Sequence, residues 1–290
     1  MPKLISVGQL IDTSWELYRE RFSEFIKISA WLLLLALFYT LSLILYPSAS
    51  TLWFSHNLTV AENIGVILFV LTNYVFSPIL GLCVLIGLVR AMKSHVSGRS
   101  VNTKKLFTEI RSLFFPTLIV SILVACLILA AVVIGFGPTI ILDLIGAFFD
   151  NLIIMAIGNI LLIPGVFVAA ALCFIWTIEY VLAPYAAILD GERGRKALRT
   201  SRALIKGKFF ATFLRLVVPK LVFLIFGVLI MAIFSYFAEI ILNVAGGLSL
   251  DLRLRITTMI EWNLPVIIAV FLNPLMIIAD VLLYGALKGE

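Results

Sequence analysis

Six long runs of apolar residues constrain the fold more than any other feature of this sequence. They cover residues 25–45, 64–89, 113–135, 152–178, 216–241 and 264–287. A helix needs roughly 20 mostly apolar residues to cross the hydrocarbon layer of a bilayer, where each backbone polar group must find its partner inside the protein. The runs therefore predict an all-α polytopic membrane protein with six transmembrane helices.

Composition agrees with this class and excludes a water-soluble enzyme. Of the 290 residues, 62% are hydrophobic and 13% are charged, and the mean hydropathy is +1.15. Soluble domains are about 45–50% apolar and about 25% charged. We expect one integral membrane domain over residues 1–290. Residues 136–151, between the third and fourth runs, are too short and too acidic to span, and we interpret them as an outer-face turn with a short interfacial helix.

The net charge of +6 is distributed as in membrane proteins, so we expect no nucleic-acid partner. Of the 22 Lys and Arg residues, 20 fall in the N-terminal tail, the second and fourth connections and the C-terminus. Only Arg253 and Arg255 fall on the other side, in the fifth connection. Cytoplasmic loops carry an excess of Lys and Arg. We therefore expect a multi-pass protein of the inner (plasma) membrane with both termini in the cytoplasm.

The first 24 residues predict an amphipathic helix. Ser6 and Gln9 have the spacing of a capping box, which marks a helix start. One apolar stripe then recurs at helical spacing, formed by Leu4, Val7, Ile11, Trp15, Tyr18, Phe22 and Phe25. Such a helix lies in the cytoplasmic interface of the membrane or packs on the transmembrane bundle.

A second amphipathic element follows the fourth run and carries a basic stripe. Its four cations recur at spacings of four, three and four residues: Arg195, Arg199, Arg202 and Lys206. A cationic stripe beside a bilayer attracts anionic headgroups. These four residues are our candidate site for lipid headgroups, and the alternative is that they only set the topology.

An internal repeat relates the two amphipathic elements. Residues 13–22 read TSWELYRERF and residues 200–209 read TSRALIKGKF. The ends of the second and sixth runs also agree, as LIGLVR at 85–90 and LYGALK at 283–288. With a weaker middle copy, the repeat predicts three units at about 4–96, 101–190 and 193–289. A pseudo-threefold arrangement of three helical hairpins would follow.

These segments resemble a known family. The residues 183–210, APYAAILDGERGRKALRTSRALIKGKFF, and the N-terminal VGQLIDTSWELYRERF resemble the membrane domain of glycerophosphoryl diester phosphodiesterases and related uncharacterised bacterial membrane proteins. The family often has an aromatic residue after the serine, which Trp15 matches and Arg202 does not. The catalytic domain of those enzymes is a separate soluble barrel for which this chain has no room. The resemblance therefore implies a membrane domain without phosphodiesterase activity.

Nothing in the sequence indicates catalytic chemistry, a cofactor or a metal. The two histidines, His56 and His95, fall on opposite sides of the predicted membrane. The sequence contains neither a paired-cysteine motif nor a phosphate-binding Gly-Lys-Ser/Thr loop. We expect that the protein is not an enzyme.

Ionisable residues inside the predicted spans form the second candidate site. They are Glu179, Arg215, Lys220 and Asp280, all placed by the span boundaries at a similar depth. Charges at such positions are costly and often functional. We expect Glu179 and Asp280 to pair with Arg215 and Lys220, either as a structural ion-pair network or as the lining of a polar cavity.

Three functions are compatible with these features. The first is a non-enzymatic envelope protein that contacts anionic lipid headgroups, a membrane partner or a second copy of itself. The second is a transporter or channel with a cytoplasm-facing polar cavity, for which Pro78, Pro164 and Pro274 would interrupt helices, with asparagines nearby. The third is a membrane-embedded enzyme, which lacks a credible set of catalytic groups.

Overall fold

The computed structural model describes residues 5–54, 57–96, 103–244 and 247–289, so His56 lies outside the described residues. The structure is 91% helical, and no strand occurs in the described ranges. The helices are α1 (Val7–Glu20), α2 (Phe22–Ser29), α3 (Leu33–Leu45), α4 (Ala49–Phe54), α5 (Val60–Leu71), α6 (Ser77–Val96), α7 (Thr103–Phe148), α8 (Leu152–Tyr180), α9 (Ala183–Asp190), α10 (Arg195–Ile205), α11 (Phe209–Val244) and α12 (Leu250–Lys288).

Six helical segments in the described residues are long and apolar enough to cross a membrane. They are Phe22–Leu45, Val60–His95, Lys105–Phe148, Leu152–Asp190, Phe209–Val244 and Leu250–Lys288. Each contains one of the six apolar runs, which confirms the all-α polytopic class. Five of the six have at least 36 residues, or about 54 Å of helix, and so extend well beyond a hydrocarbon layer of about 30 Å.

The interpretation of residues 136–151 as an outer turn with a separate interfacial helix is wrong. Helix α7 continues through Pro138 to Phe148, and the turn occupies only the next three residues. The physical reason is contact with α8 along this stretch. A Cβ atom at Gly158 would lie 2.4 Å from Asp143 Oδ1, so the absent side chain makes room for the carboxylate.

The expected proline interruptions are only partly present. Pro164 lies inside the continuous helix α8, and Pro274 lies inside the continuous helix α12. Before Pro78 the chain changes to a π-helical turn over Thr72–Phe76. Proline lacks an N–H and its ring crowds the carbonyl four residues earlier, and a wider π turn relieves both problems.

The helices form two compact units. The first contains the described residues up to Arg111 and from Leu214 onward, and the second contains Ser112–Phe213. In the first unit, α12 contacts α1, α2, α3 and α6. Its second half is buried there, with Leu283 and Tyr284 almost fully covered. This helix is therefore the centre of the first unit.

Helix α1 confirms the predicted helix start, but its buried face differs from the predicted stripe. Ser6 caps the helix, and its capping box with Gln9 is formed. The buried residues are Leu10, Ser14 and Tyr18, and α1 contacts α12. The Ser14 hydroxyl donates to the Leu10 carbonyl at 2.6 Å, which lets a polar side chain lie at the contact. Burial raises the pKa of the Tyr18 phenol to about 12.

The buried line of α1 leaves Trp15 outside, with 48% of its surface exposed. The apolar stripe predicted from the sequence included Trp15, at headgroup depth if the helix lies in the membrane interface. Because the helix packs through Ser14 instead, the bulky ring is left on the surface, where a membrane interface suits an indole. The contact of α1 with α12 agrees with packing on the bundle, and the exposed Trp15 agrees with the interfacial alternative.

In the second unit, α7 and α8 approach each other through glycines. A Cβ at Gly135 would lie 2.5 Å from the Gly165 carbonyl oxygen and 2.6 Å from Ala169 Cβ. Small residues that allow backbones this close are typical of helix pairs in membranes, where van der Waals packing replaces the hydrophobic effect. The α7–α8 hairpin therefore depends on the absence of a side chain at Gly135.

We predict that Gly135→Ala destabilises the protein by about 1–3 kcal/mol, because the new methyl group must push backbone atoms apart. Gly137→Ala is the matched control in the same helix, since nothing lies within 4 Å of its added Cβ. Alanine there should leave the stability unchanged or raise it by up to about 1 kcal/mol. Reversible unfolding in mixed micelles measures both. Equal effects of the two substitutions would contradict the close α7–α8 contact.

Candidate functional site

Two glycines turn the chain from α9 into α10. Gly191 has φ = 72° and Gly194 has φ = 52°, values that glycine adopts without the steric cost paid by other residues. Gly191 also ends α9 in the left-handed conformation that is common after a helix C-terminus. The short connection reverses the chain and lays α10 against α8 and α9, which it contacts.

Helix α10 is strongly amphipathic. Its buried side is formed by Ala197, Leu198, Ser201 and Ile205. The four basic residues of the sequence stripe are all exposed: Arg195, Arg199, Arg202 and Lys206. The helical spacing thus placed the four cations on one exposed side.

Glu179, near the end of α8, is held by two successive residues of α10. The Ser201 hydroxyl donates to the Glu179 backbone carbonyl at 2.6 Å. The next residue, Arg202, places Nε 3.2 Å from Glu179 Oε2. Glu179 therefore contacts α10 twice. Its backbone carbonyl accepts from Ser201, and its carboxylate lies beside the guanidinium of Arg202.

A surface cavity of about 530 Å³ lies beside this contact. It is lined by Glu179, Arg199, Arg202, Ala203 and Lys206. Arg195 belongs to the same basic stripe but not to the cavity lining. The candidate headgroup site therefore narrows from four cations to three, and it gains an acidic residue that the stripe did not include.

The charges of this cavity are unbalanced. Three cations face one carboxylate, which leaves a formal charge of +2. Within the described residues, the side chains of Arg199 and Lys206 have no hydrogen bond or ion pair. Glu179 Oε2 is itself buried and accepts no hydrogen bond, so its interaction with Arg202 is a charge contact alone. The cavity can take up an anion without first breaking a strong internal bond.

Of the ion pairs expected among Glu179, Arg215, Lys220 and Asp280, the described part of the structure contains one. Lys220 Nζ lies 2.8 Å from Asp280 Oδ2, so this expected pair is present. Asp280 is buried, and the Lys220 side chain is 33% exposed. Arg215 donates from Nε to the backbone carbonyl of Ile5 at 2.6 Å. Glu179 pairs with Arg202 instead of with either of the two expected cations.

The reason for this difference is the return of α10 onto the end of α8. The expectation compared the depths of residues in consecutive spans, whereas the partner of Glu179 comes from the amphipathic helix that follows. One sequence signal indicated this: Arg202 takes the position that holds Trp15 in the first repeat. An arginine where the pattern has an aromatic residue marks a local requirement for positive charge, and Glu179 supplies it.

The two amphipathic helices bury equivalent positions of the repeat. Shifted by 187 residues, the buried Leu10, Ser14 and Tyr18 of α1 correspond to Ala197, Ser201 and Ile205 of α10, which are also buried. The next helices, α2 and α11, begin at the aligned Phe22 and Phe209. The sequence similarity therefore has a structural counterpart in these two helices, while the division into three units stays a prediction.

The chain is an integral membrane protein of the all-α polytopic class, by its six apolar helices. Comparison with protein-family models, curated proteins and solved structures gave no match.

We predict that Lys220→Met destabilises the protein by about 3 kcal/mol, because it leaves the buried Asp280 carboxylate without its cation. This value is the lower end for a broken buried pair, since Lys220 is partly exposed. The double variant Lys220→Met/Asp280→Asn should recover most of the loss, because no buried charge remains. Reversible unfolding in mixed micelles compares the three proteins. A double variant no more stable than the single one would contradict a direct charge pair.

Proposed function

We propose that this protein is a non-enzymatic component of a bacterial inner membrane that binds anionic lipid headgroups at the cavity beside α10. The observation that carries the proposal is the convergence of Arg199, Arg202 and Lys206 on one concave surface with a formal charge of +2. A basic residue near a bilayer surface contributes about 1 kcal/mol of attraction to anionic lipids. Three in one cavity favour a bound headgroup over diffuse attraction.

The orientation of the chain supports contact with the cytoplasmic leaflet. The N-terminal tail, the second and fourth connections and the C-terminus carry 20 of the 22 Lys and Arg residues. We propose on this basis that both termini and α10 face the cytoplasm. The resemblance to the membrane domain of glycerophosphoryl diester phosphodiesterases belongs to the same proposal, as a membrane domain acting without the catalytic barrel.

Transport is the second candidate, and the buried Lys220–Asp280 pair is the observation in its favour. Two of the polar residues that would extend a path through the spans already have hydrogen-bond partners. Asn73 Oδ1 accepts from the Tyr39 hydroxyl at 3.0 Å, and Asn159 Nδ2 donates to the Met155 carbonyl at 3.0 Å. Neither asparagine lines the cavity beside α10. The geometry therefore supports headgroup binding better than transport.

We predict that Arg199→Gln/Arg202→Gln/Lys206→Gln weakens binding to anionic lipid about a hundredfold, because about 1 kcal/mol is lost per charge. The measurement is binding of short-chain phosphatidylglycerol to the purified full chain in nonionic detergent. The matched control is Arg193→Gln/Arg195→Gln/Lys196→Gln, which removes the same charge from exposed neighbours outside the cavity. Equal losses in both variants would mean that the cavity is not a specific site and that lipid binding depends only on the net positive charge of this region.

Glu179→Gln tests the same site with a change that should strengthen lipid binding instead of weakening it. Removing the carboxylate frees Arg202 for the lipid, so phosphatidylglycerol binding should become roughly two- to fivefold tighter, as for a partly exposed ion pair worth up to about 1 kcal/mol. High salt should reduce the gain through screening. Weaker binding by this variant would contradict the role of Glu179 as a competing anion.

A further inference from the structure

A second cavity, of about 340 Å³, lies in the first unit where α3 ends and α12 begins. Its lining combines three kinds of side chain. Aromatic rings come from Tyr46, Phe69 and Trp262, and charges of opposite sign come from Asp251 and Arg255. Three leucines form an apolar part of the wall, and Pro47, Ser48 and Thr258 complete it. This combination of aromatic faces, both charges and an apolar wall occurs at the N-terminal end of α12, far along the helix from Lys288.

The aromatic rings of this cavity support one another. Phe69 meets Trp262 edge to face with ring centroids 4.9 Å apart, and Tyr46 lies 5.6 Å from Phe69. Tyr39, behind them, is 5.3 Å from Trp262. The faces and edges of such clusters are positioned before any ligand arrives. Aromatic faces attract organic cations, with tryptophan the strongest.

Arg255 is also held in place. Its Nη1 donates to the carbonyl of Leu43 at 2.9 Å and to the carbonyl of Ile44. These carbonyls lie at the C-terminus of α3, where helix carbonyls lack intrahelical partners. Asp251 precedes Arg255 by four residues on α12 and therefore lies one turn away, on the same side of the helix. The cavity thus presents an arginine that is held in place and a carboxylate about one helical turn away.

The length of α12 sets the depth of this cavity. The helix has 39 residues, which is about 58 Å, whereas the hydrocarbon layer is about 30 Å thick. Its longest apolar run is residues 264–287. Residues 251–262 therefore lie beyond the apolar run, on the headgroup side, and Trp262 is the part of this segment closest to the hydrocarbon. Trp262, 38% exposed, is a residue type enriched at the membrane–water interface.

From these observations we infer that the cavity binds the headgroup of a zwitterionic phospholipid. The phosphate contacts Arg255, the ammonium group contacts Asp251 one turn away, and the aromatic rings pack against the lipid beyond the phosphate. The leucines accept the first part of an acyl chain. A purely anionic lipid would meet Asp251 and a purely cationic one would meet Arg255, so the two opposite charges select a headgroup that carries both.

The test is calorimetric titration of the full chain in nonionic detergent with short-chain phosphatidylethanolamine, short-chain phosphatidylglycerol and free phosphoethanolamine. The protein carries Arg199→Gln/Arg202→Gln/Lys206→Gln, so that the α10 cavity does not contribute. We expect saturable binding of phosphatidylethanolamine at least about tenfold tighter than of phosphatidylglycerol. If free phosphoethanolamine bound saturably with the same affinity, the cavity would recognise the headgroup itself, and the inference that its ligand is a lipid would be overturned.

Three further substitutions locate the binding. Asp251→Asn changes charge without changing volume and should weaken phosphatidylethanolamine binding about tenfold while reducing its advantage over phosphatidylglycerol. Trp262→Leu should weaken it severalfold. Arg253→Gln is the control on the same helix, since Arg253 donates to Asn243 and lies outside the cavity lining. No saturable binding, or an Asp251→Asn protein that binds like its parent, would overturn the inference.

Discussion

The low polarity of the membrane interior governs this structure, because every buried backbone group and every charge there needs a partner. Helices pair the backbone N–H and C=O groups with one another, and charged side chains pair with each other or with the carbonyls left free at helix ends. Asp280 is matched by Lys220 inside the spans, and on the headgroup side Arg255 donates to the open carbonyls at the end of α3. The sites described above are places where this rule is met only in part, which leaves charge available for a ligand.

Amphipathic segments are docked in a similar way at several points of the chain. Helix α1 contacts α12, and α10 contacts α8 and α9. The first turns of α7 meet α6 through a pair between Arg90 Nε and Glu109 Oε2 at 2.7 Å. Helices α1 and α10 each cover a membrane-spanning helix with one face. The other face remains exposed, and in α10 that face carries the cations of the proposed headgroup site.

The sequence was sufficient for the class, the number of spans and the start of α1, because each depends on local composition or spacing. The capping box at Ser6 and the exposed basic side of α10 are examples. Tertiary contacts decided the rest. Helix α7 passes Pro138 and Asp143 because α8 packs against it, and Trp15 is exposed because α1 packs through Ser14. Glu179 pairs with Arg202 because α10 folds back onto α8. A comparison of residue depths in successive spans does not reveal that contact.

Orientation is the claim on which the account of the basic cavity depends most directly, and thiol labelling measures it. In a full chain with Cys83, Cys126 and Cys173 replaced by serine, single cysteines are introduced as Asp150→Cys, between α7 and α8, or Arg193→Cys, between α9 and α10. A membrane-impermeant maleimide should label the first in intact cells and the second only after lysis. Labelling of Arg193→Cys in intact cells would place the basic cavity on the outer face and contradict the account.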